Sequence, residues 1–220
     1  MRIGIIHATL NAVEPISAAF RELVPDVEIV NFINEELLAH ANKHSGVDYW
    51  GIKHFVDTAK LALDSELDGI MIACTLYCPY VQLISQMTDL PVVAVDAPMI
   101  SKAVSCGKKI GILATTAASG PSAAEKLMTE AVAKGITVEY EIGISVDAMK
   151  ALKHGDAEMH DNLLLNEADA LAAKGCEIML LSQITMARAQ ACLETQGYTV
   201  LSSPIEGAKA LIRMVGGKNE

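Results

Sequence analysis

Three segments from the first half of this chain reappear, in the same order, in the second half. MRIGIIHAT opens the chain and KKIGILATT begins at Lys108. DGIMIACT begins at Asp68 and EIMLLSQI at Glu177; LPVVAVDAP ends at Pro98 and YTVLSSP at Pro204. The offsets are 107, 109 and 106 residues. Such a near-constant offset restricts the chain to two copies of one unit, each of about 100 residues, enough for a unit to hold its own core.

Short apolar runs of strand type occupy 2–7, 27–33, 69–74, 92–95, 109–114, 137–143, 177–181 and 199–201. Between them, 52–66, 122–133 and 163–174 carry the three-to-four spacing of amphipathic helices. Continuously apolar strands alternating with helices belong to a parallel sheet covered on both faces. The expected fold class is therefore α/β, with two pseudo-symmetric four-stranded parallel-sheet lobes. Ligands of open parallel sheets bind outside the carboxyl ends of the strands, so the site is expected in a cleft between the lobes. Ser203-Pro204-Ile205-Glu206 fits this register, with an N-cap serine, proline at the first helical position and glutamate three residues after the cap. The final GGKNE reads as a frayed tail.

Composition removes several classes. With 51% hydrophobic residues the chain carries enough apolar surface to order itself, unlike a disordered chain. A net charge of −10, with no basic run interleaved with aromatics, repels phosphate backbones, so no nucleic-acid partner is expected. The uncharged stretch 69–88 contains Pro79, Gln82, Ser85 and Gln86 and reads as strand, turn and helix rather than a membrane span. Five cysteines, an odd number, and a start (MRIGIIHATL) without secretory-signal features point to reduced thiols in a cytoplasm.

The polar residues that carry chemistry fall at the expected strand ends. Cys74-Thr75 follows the strand at 69–74 and precedes a helix start near Pro79. Free backbone N–H groups there favour a thiolate, and together with the Thr75 hydroxyl they suit a carboxylate. The plainer alternative is a small buried residue. The repeat places Gln183 opposite Cys74, flanked by Ser182 and Thr185, which suit either a ligand or the cap of the next helix. Thr115-Thr116-Ala117-Ala118-Ser119-Gly120 offers hydroxyls and close backbone approach, and its first-half counterpart is Ala8-Thr9-Leu10-Asn11.

Other features read as structural. Cys78 is a bystander rather than a disulfide partner. His40 and His44 stand at i, i+4, but HANKHSG lacks the carboxylate of an HExxH site, so a solvated helix end is favoured and no metal is expected. Asp48-Tyr49-Trp50 forms an aromatic wall or simply opens a core helix. Gly107-Lys108-Lys109 precedes a strand and is no phosphate loop, and neither GxGxxG nor GxSxG occurs.

Cys74-Thr75 after an apolar strand, the paired Thr115-Thr116, and Ser203-Pro204 with Gly207-Ala208 together resemble the aspartate/glutamate/hydantoin racemase superfamily, over nearly the whole chain. The resemblance implies proton transfer, with no cofactor, at the carbon next to a carboxylate. In such racemases one cysteine removes the proton and a second returns one to the opposite face. It implies a small carboxylate-bearing or hydantoin-like substrate, and a homodimer. Cys74 matches the first family cysteine, with Thr75, Thr115, Thr116 and Gln183 binding the acid group and Asn11 orienting the substrate. His7, Tyr49 and Thr185 complete the candidate set. At the place of the second cysteine stands Gln183, and an amide is no acid or base near neutral pH. Three readings follow: a racemase with another second proton carrier (His7 by pKa, Ser182 or Thr185 less well), a one-sided decarboxylase or isomerase, or a small-acid binder without turnover. The expected division is 1–98 with a returning helix from 205–220, and 99–204.

Overall fold

A computed structural model describes residues 1–106 and 108–217. Gly107 and residues 218–220 of the GGKNE tail lie outside the described residues, so the readings made of them stay expectations. The chain divides into two compact units, Met1–Pro98 with Pro204–Glu220, and Met99–Ser203.

The first unit runs β1 (Arg2–His7), α1 (Val13–Leu23), β2 (Glu28–Ile33), α2 (Glu36–Lys43), α3 (Tyr49–Leu63), β3 (Gly69–Ile72), α4 (Val81–Ser85) and β4 (Val92–Ala94). Its sheet is parallel throughout, in the order β2-β1-β3-β4. Of the central strands, β1 is buried from Ile3 to His7 and all four residues of β3 are buried. The edge strand β2 is partly exposed. Ile6, Ile70 and Ile72 of the sheet pack with Leu37, Phe55, Ala59, Tyr77 and Ile84 in one core cluster. A fully buried Ile, Leu or Phe side chain stabilises by about 1.5–3 kcal/mol relative to an exposed one.

The second unit repeats that plan. α5 (Ala97–Ser105) leads into β5 (Ile110–Ala114), α6 (Ser119–Lys134), β6 (Tyr140–Ile144), α7 (Val146–Lys153), α8 (Ala157–Ala173), β7 (Ile178–Leu181), α9 (Gln190–Thr195) and β8 (Thr199–Ser202). Its sheet, again parallel, has the order β6-β5-β7-β8, the first unit's order four strands on. Ile110, Ile112, Ile178 and Leu180 pack against Ile100 and Val104 of α5 and Leu127 of α6. α10 (Ser203–Gly216) follows β8 directly and belongs from Pro204 to the first unit. There it lies close: a Cβ on Gly207 would stand 2.8 Å from the Val95 carbonyl oxygen, and one on Gly69 would stand 2.9 Å from Leu211 Cδ1.

Several boundaries differ from the sequence-based ones. The ladder of β6 begins where Tyr140 meets Ile110, so 137–139 runs past the start of its partner and is not strand. β3 ends at Ile72, which leaves Cys74 in the loop rather than in the strand. Two helices start earlier than the ranges read from apolar periodicity: α3 opens at Tyr49 behind an Asp48 cap and α8 at Ala157 behind an Asp156 cap, because the cap rather than the apolar spacing sets the first turn. α10 is helical from Ser203 itself, one residue before the expected start. Among the described residues no helix is long and apolar enough to cross a membrane.

In each sheet the chain moves outward from the first strand to the second, then returns to place the third strand on the other side. The reversal falls between β1 and β3, and between β5 and β7. Loops leaving two such strands diverge to opposite faces and leave a crevice at their carboxyl ends, where ligands bind in sheets of this kind.

Candidate functional site

In the first unit the crevice is bounded by the loops after β1 and β3. The Ala73 N–H still donates to the Ile6 carbonyl (2.9 Å), and the chain then leaves the sheet at Cys74. The Cys74 carbonyl accepts from the N–H groups of Tyr77 (2.9 Å) and Cys78 (3.0 Å), which closes a tight turn. This turn leaves Cys74 half-buried and Thr75 exposed, both beyond the strand end. The first α-helix after them, α4, has five residues and starts seven positions past Cys74. A helix dipole falls off within its first turn, so the helix-terminus contribution expected at this thiol is weak. Cys78 is buried, and its thiol points to the Ile72 carbonyl at 3.8 Å, a packing role. No disulfide forms among the described residues.

Tyr77, fully buried, floors this loop. Its hydroxyl donates to the Leu37 carbonyl (3.2 Å), and its ring stacks on Phe55 with centroids 5.0 Å apart. Burial, then the neighbouring Cys74 and Asp48 charges, push its phenol up to about 12, so it stays a neutral donor. The other loop carries Thr9 and Asn11. Thr9 Oγ1 accepts from the Asn11 N–H (3.4 Å), and Asn11 is exposed in the single turn Leu10–Ala12.

His7 ends β1 and is fully buried. Its Nε2 lies 2.9 Å from Asn31 Oδ1 on the paired strand β2, while Nδ1 is buried with no hydrogen-bond partner among the described residues. With that oxygen as acceptor, Nε2 carries the proton and Nδ1 a lone pair. Burial lowers the His7 pKa, opposed by the Asn31 hydrogen bond, so the ring is held neutral. Tyr49, 83% exposed, stands in solvent at the start of α3.

In the second unit the crevice is closed by a compact hydrogen-bonded knot. Gln183 Oε1 accepts from the Thr115 N–H (3.0 Å) and the Thr115 hydroxyl (2.7 Å), and Ser119 Oγ stands 3.0 Å away. The Ser119 N–H donates in turn to Thr116 Oγ1 at 3.2 Å. The structure thus joins Thr115, Thr116 and Gln183 as one cluster, with Ser119 as a fourth member. Thr185 lies two residues on, half-buried in the 3₁₀ segment Ile184–Ala189. That segment is tied to α8 by Arg188, which donates to the Ala157 carbonyl (2.9 Å) and to the Asp161 carboxylate. The amide oxygen fills a site of converging donors. It is held as an acceptor and has no proton to exchange.

Sequence reasoning missed Asn31, the one polar side chain in the run Ile29 to Ile33, and that break in an apolar strand was the available signal. It missed Tyr77 as well. It also separated Asp48 from His40 and His44, which the fold places together: His40 Nε2 lies 3.0 Å from each Asp48 carboxylate oxygen.

A duplicated four-stranded parallel sheet, with polar loops at the carboxyl edge of its central strands, defines the class, a two-unit α/β protein. Residues 3–215 match the family model described as Asp/Glu/Hydantoin racemase, and the chain belongs to that family. Among curated protein sequences none matches it. Solved structures of racemases share its fold, and three of them show how closely. Allantoin racemase from Klebsiella pneumoniae is 16% identical, with a TM-score of 0.73 over 99% of this chain and 89% of that one. An aspartate racemase homologue from Pyrococcus horikoshii is 17% identical, with a TM-score of 0.71 over 98% and 99%. A glutamate racemase from Bacillus anthracis is 14% identical, with a TM-score of 0.68 over 98% and 82%.

Proposed function

We propose that this chain is an isomerase of racemase type, moving a proton at the carbon next to the carboxylate of a small acid or hydantoin-like substrate. Cys74 is the proton-carrying group in this reading, and no cofactor takes part. Family membership supports the reaction class. The observation that carries the residue assignment is the position of Cys74, half-buried just beyond β3 at the reversal of strand order. A thiol moves a proton only as the thiolate–thiol pair, so its group must reach both states near neutral pH. Thr75, exposed beside it, is the donor assigned to the substrate acid group, with Asn11 orienting the substrate.

A second reading, one-sided proton transfer such as decarboxylation, is favoured by a specific observation: Gln183 Oε1 is already bound by Thr115 and Ser119. An amide so held has no proton to return.

Proton NMR in D₂O tests both, with aspartate, glutamate, hydantoins, maleate and substituted malonates as the panel. Under the first reading Cys74→Ala abolishes α-deuteration, and chiral chromatography of wild-type products shows inversion. Deuteration or CO₂ release without inversion selects the one-sided reading. Turnover that survives Cys74→Ala refutes both.

A further inference from the structure

The proposed chemistry makes no use of the cluster between α2 and α3. α2 ends at Lys43, and the chain reverses through Ser45 (φ 58°) and Gly46 (φ 146°) before Asp48 caps α3. A serine in the left-handed region is uncommon, and this reversal returns the start of α3 to the last turn of α2. One ligand atom from each of His40, His44 and Asp48 then lies within 4.8 Å of the other two. Among the described residues this is the one group of three or more such side chains that meets the criterion.

The surroundings fix two of the three. The Gly51 N–H donates to Asp48 Oδ1 at 2.9 Å, which orients the carboxylate. The His40 ring is sandwiched between His44 and Trp50, with centroids 4.2 and 4.1 Å away, and its side chain is 17% exposed. His44 is exposed.

Two imidazoles and one carboxylate are a borderline donor set, suited to zinc, cobalt or nickel rather than calcium or magnesium. At metal–ligand distances of about 2.0–2.2 Å, tetrahedral ligand atoms stand roughly 3.3–3.6 Å apart. His40 Nε2 and the Asp48 oxygens, at 3.0 Å, already hold close to that spacing, and a proton now bridges them. His44 has only to swing its ring out of the stack to complete the set.

We propose that His40, His44 and Asp48 form a binding site for a divalent transition-metal ion of the zinc, cobalt or nickel class, with its remaining coordination positions open to solvent or a small ligand. The site is independent of the Cys74 assignment.

Trp50 is the sole tryptophan of the chain and stacks on His40, so its fluorescence reports on the site directly. The experiment titrates Ni²⁺, and separately Co²⁺, into the full chain without an affinity tag. The expected result is saturable quenching at one ion per chain. Affinity falls at least about tenfold in His44→Ala and in Asp48→Asn, the latter keeping an oxygen for the helix cap. Cys74→Ala leaves it unchanged, which separates this site from thiol binding. Circular dichroism of His44→Ala, an exposed position, is expected to match wild type. Quenching that does not saturate, or that is equal in wild type and His44→Ala, overturns the proposal and leaves the stacked rings as packing alone.

Discussion

Gln183 shows how much one side chain organises. Its carboxamide oxygen is the common acceptor for the Thr115 N–H and hydroxyl, and Thr115 is fully buried. Removing it leaves donors facing no acceptor, a loss of about 1–3 kcal/mol for a buried group. Gln183→Ala is therefore expected to lower the unfolding free energy by that amount, read as a lower urea midpoint at unchanged slope. A midpoint equal to wild type would mean that water replaces the amide at no cost. The repeat identified the position of Gln183 but not its state. Nothing in the spacing says that an amide folds back onto the loop after β5, because that contact spans 68 residues. Likewise His40 and His44 were legible as an i, i+4 pair, whereas Asp48 joins them only through the chain reversal at Ser45 and Gly46.

Elements were more legible than side-chain contacts, and where they failed the reason is local. Central strands such as β3 and β5, buried along their whole length, stood out as apolar runs. The first turn of α8 did not, although Asp156 was present as its cap. Gly207 illustrates an element-scale constraint. Any side chain there meets the backbone of Val95, which has no flexible end to move aside. Gly207→Ala is expected to shift α10 or strain it, at about 1–3 kcal/mol as for overpacked cores, and to lower the thermal midpoint. The gain in helix propensity from alanine, about 1 kcal/mol, acts the other way. A raised midpoint would show that α10 is held less tightly than its glycine implies.

At the scale of the molecule, the two copies visible in the sequence are two parallel sheets of identical strand order, and that was the most legible property of all. It followed from offsets that vary by only a few residues over half the chain. The discontinuity of the first unit makes its own prediction. Ala208 and Leu211 of α10 are fully buried, and a Cβ on Gly69 would meet the Leu211 and Val215 side chains. A chain ending at Ser203 is expected to lose amide-exchange protection in β3 and β4 while β5 and β7 keep theirs. Equal loss in both sheets would refute the division into separately cored units.

That discontinuity also sets an order of events on the ribosome. The unit whose strands emerge first lacks its closing helix until every residue of the other unit has been made. The later segment, continuous in sequence, has all its parts as soon as β8 clears the exit tunnel. At about 5–20 residues per second, the early strands wait several seconds with the surface that α10 covers open to water and to chaperones. The half that is translated first is thus the half that matures last.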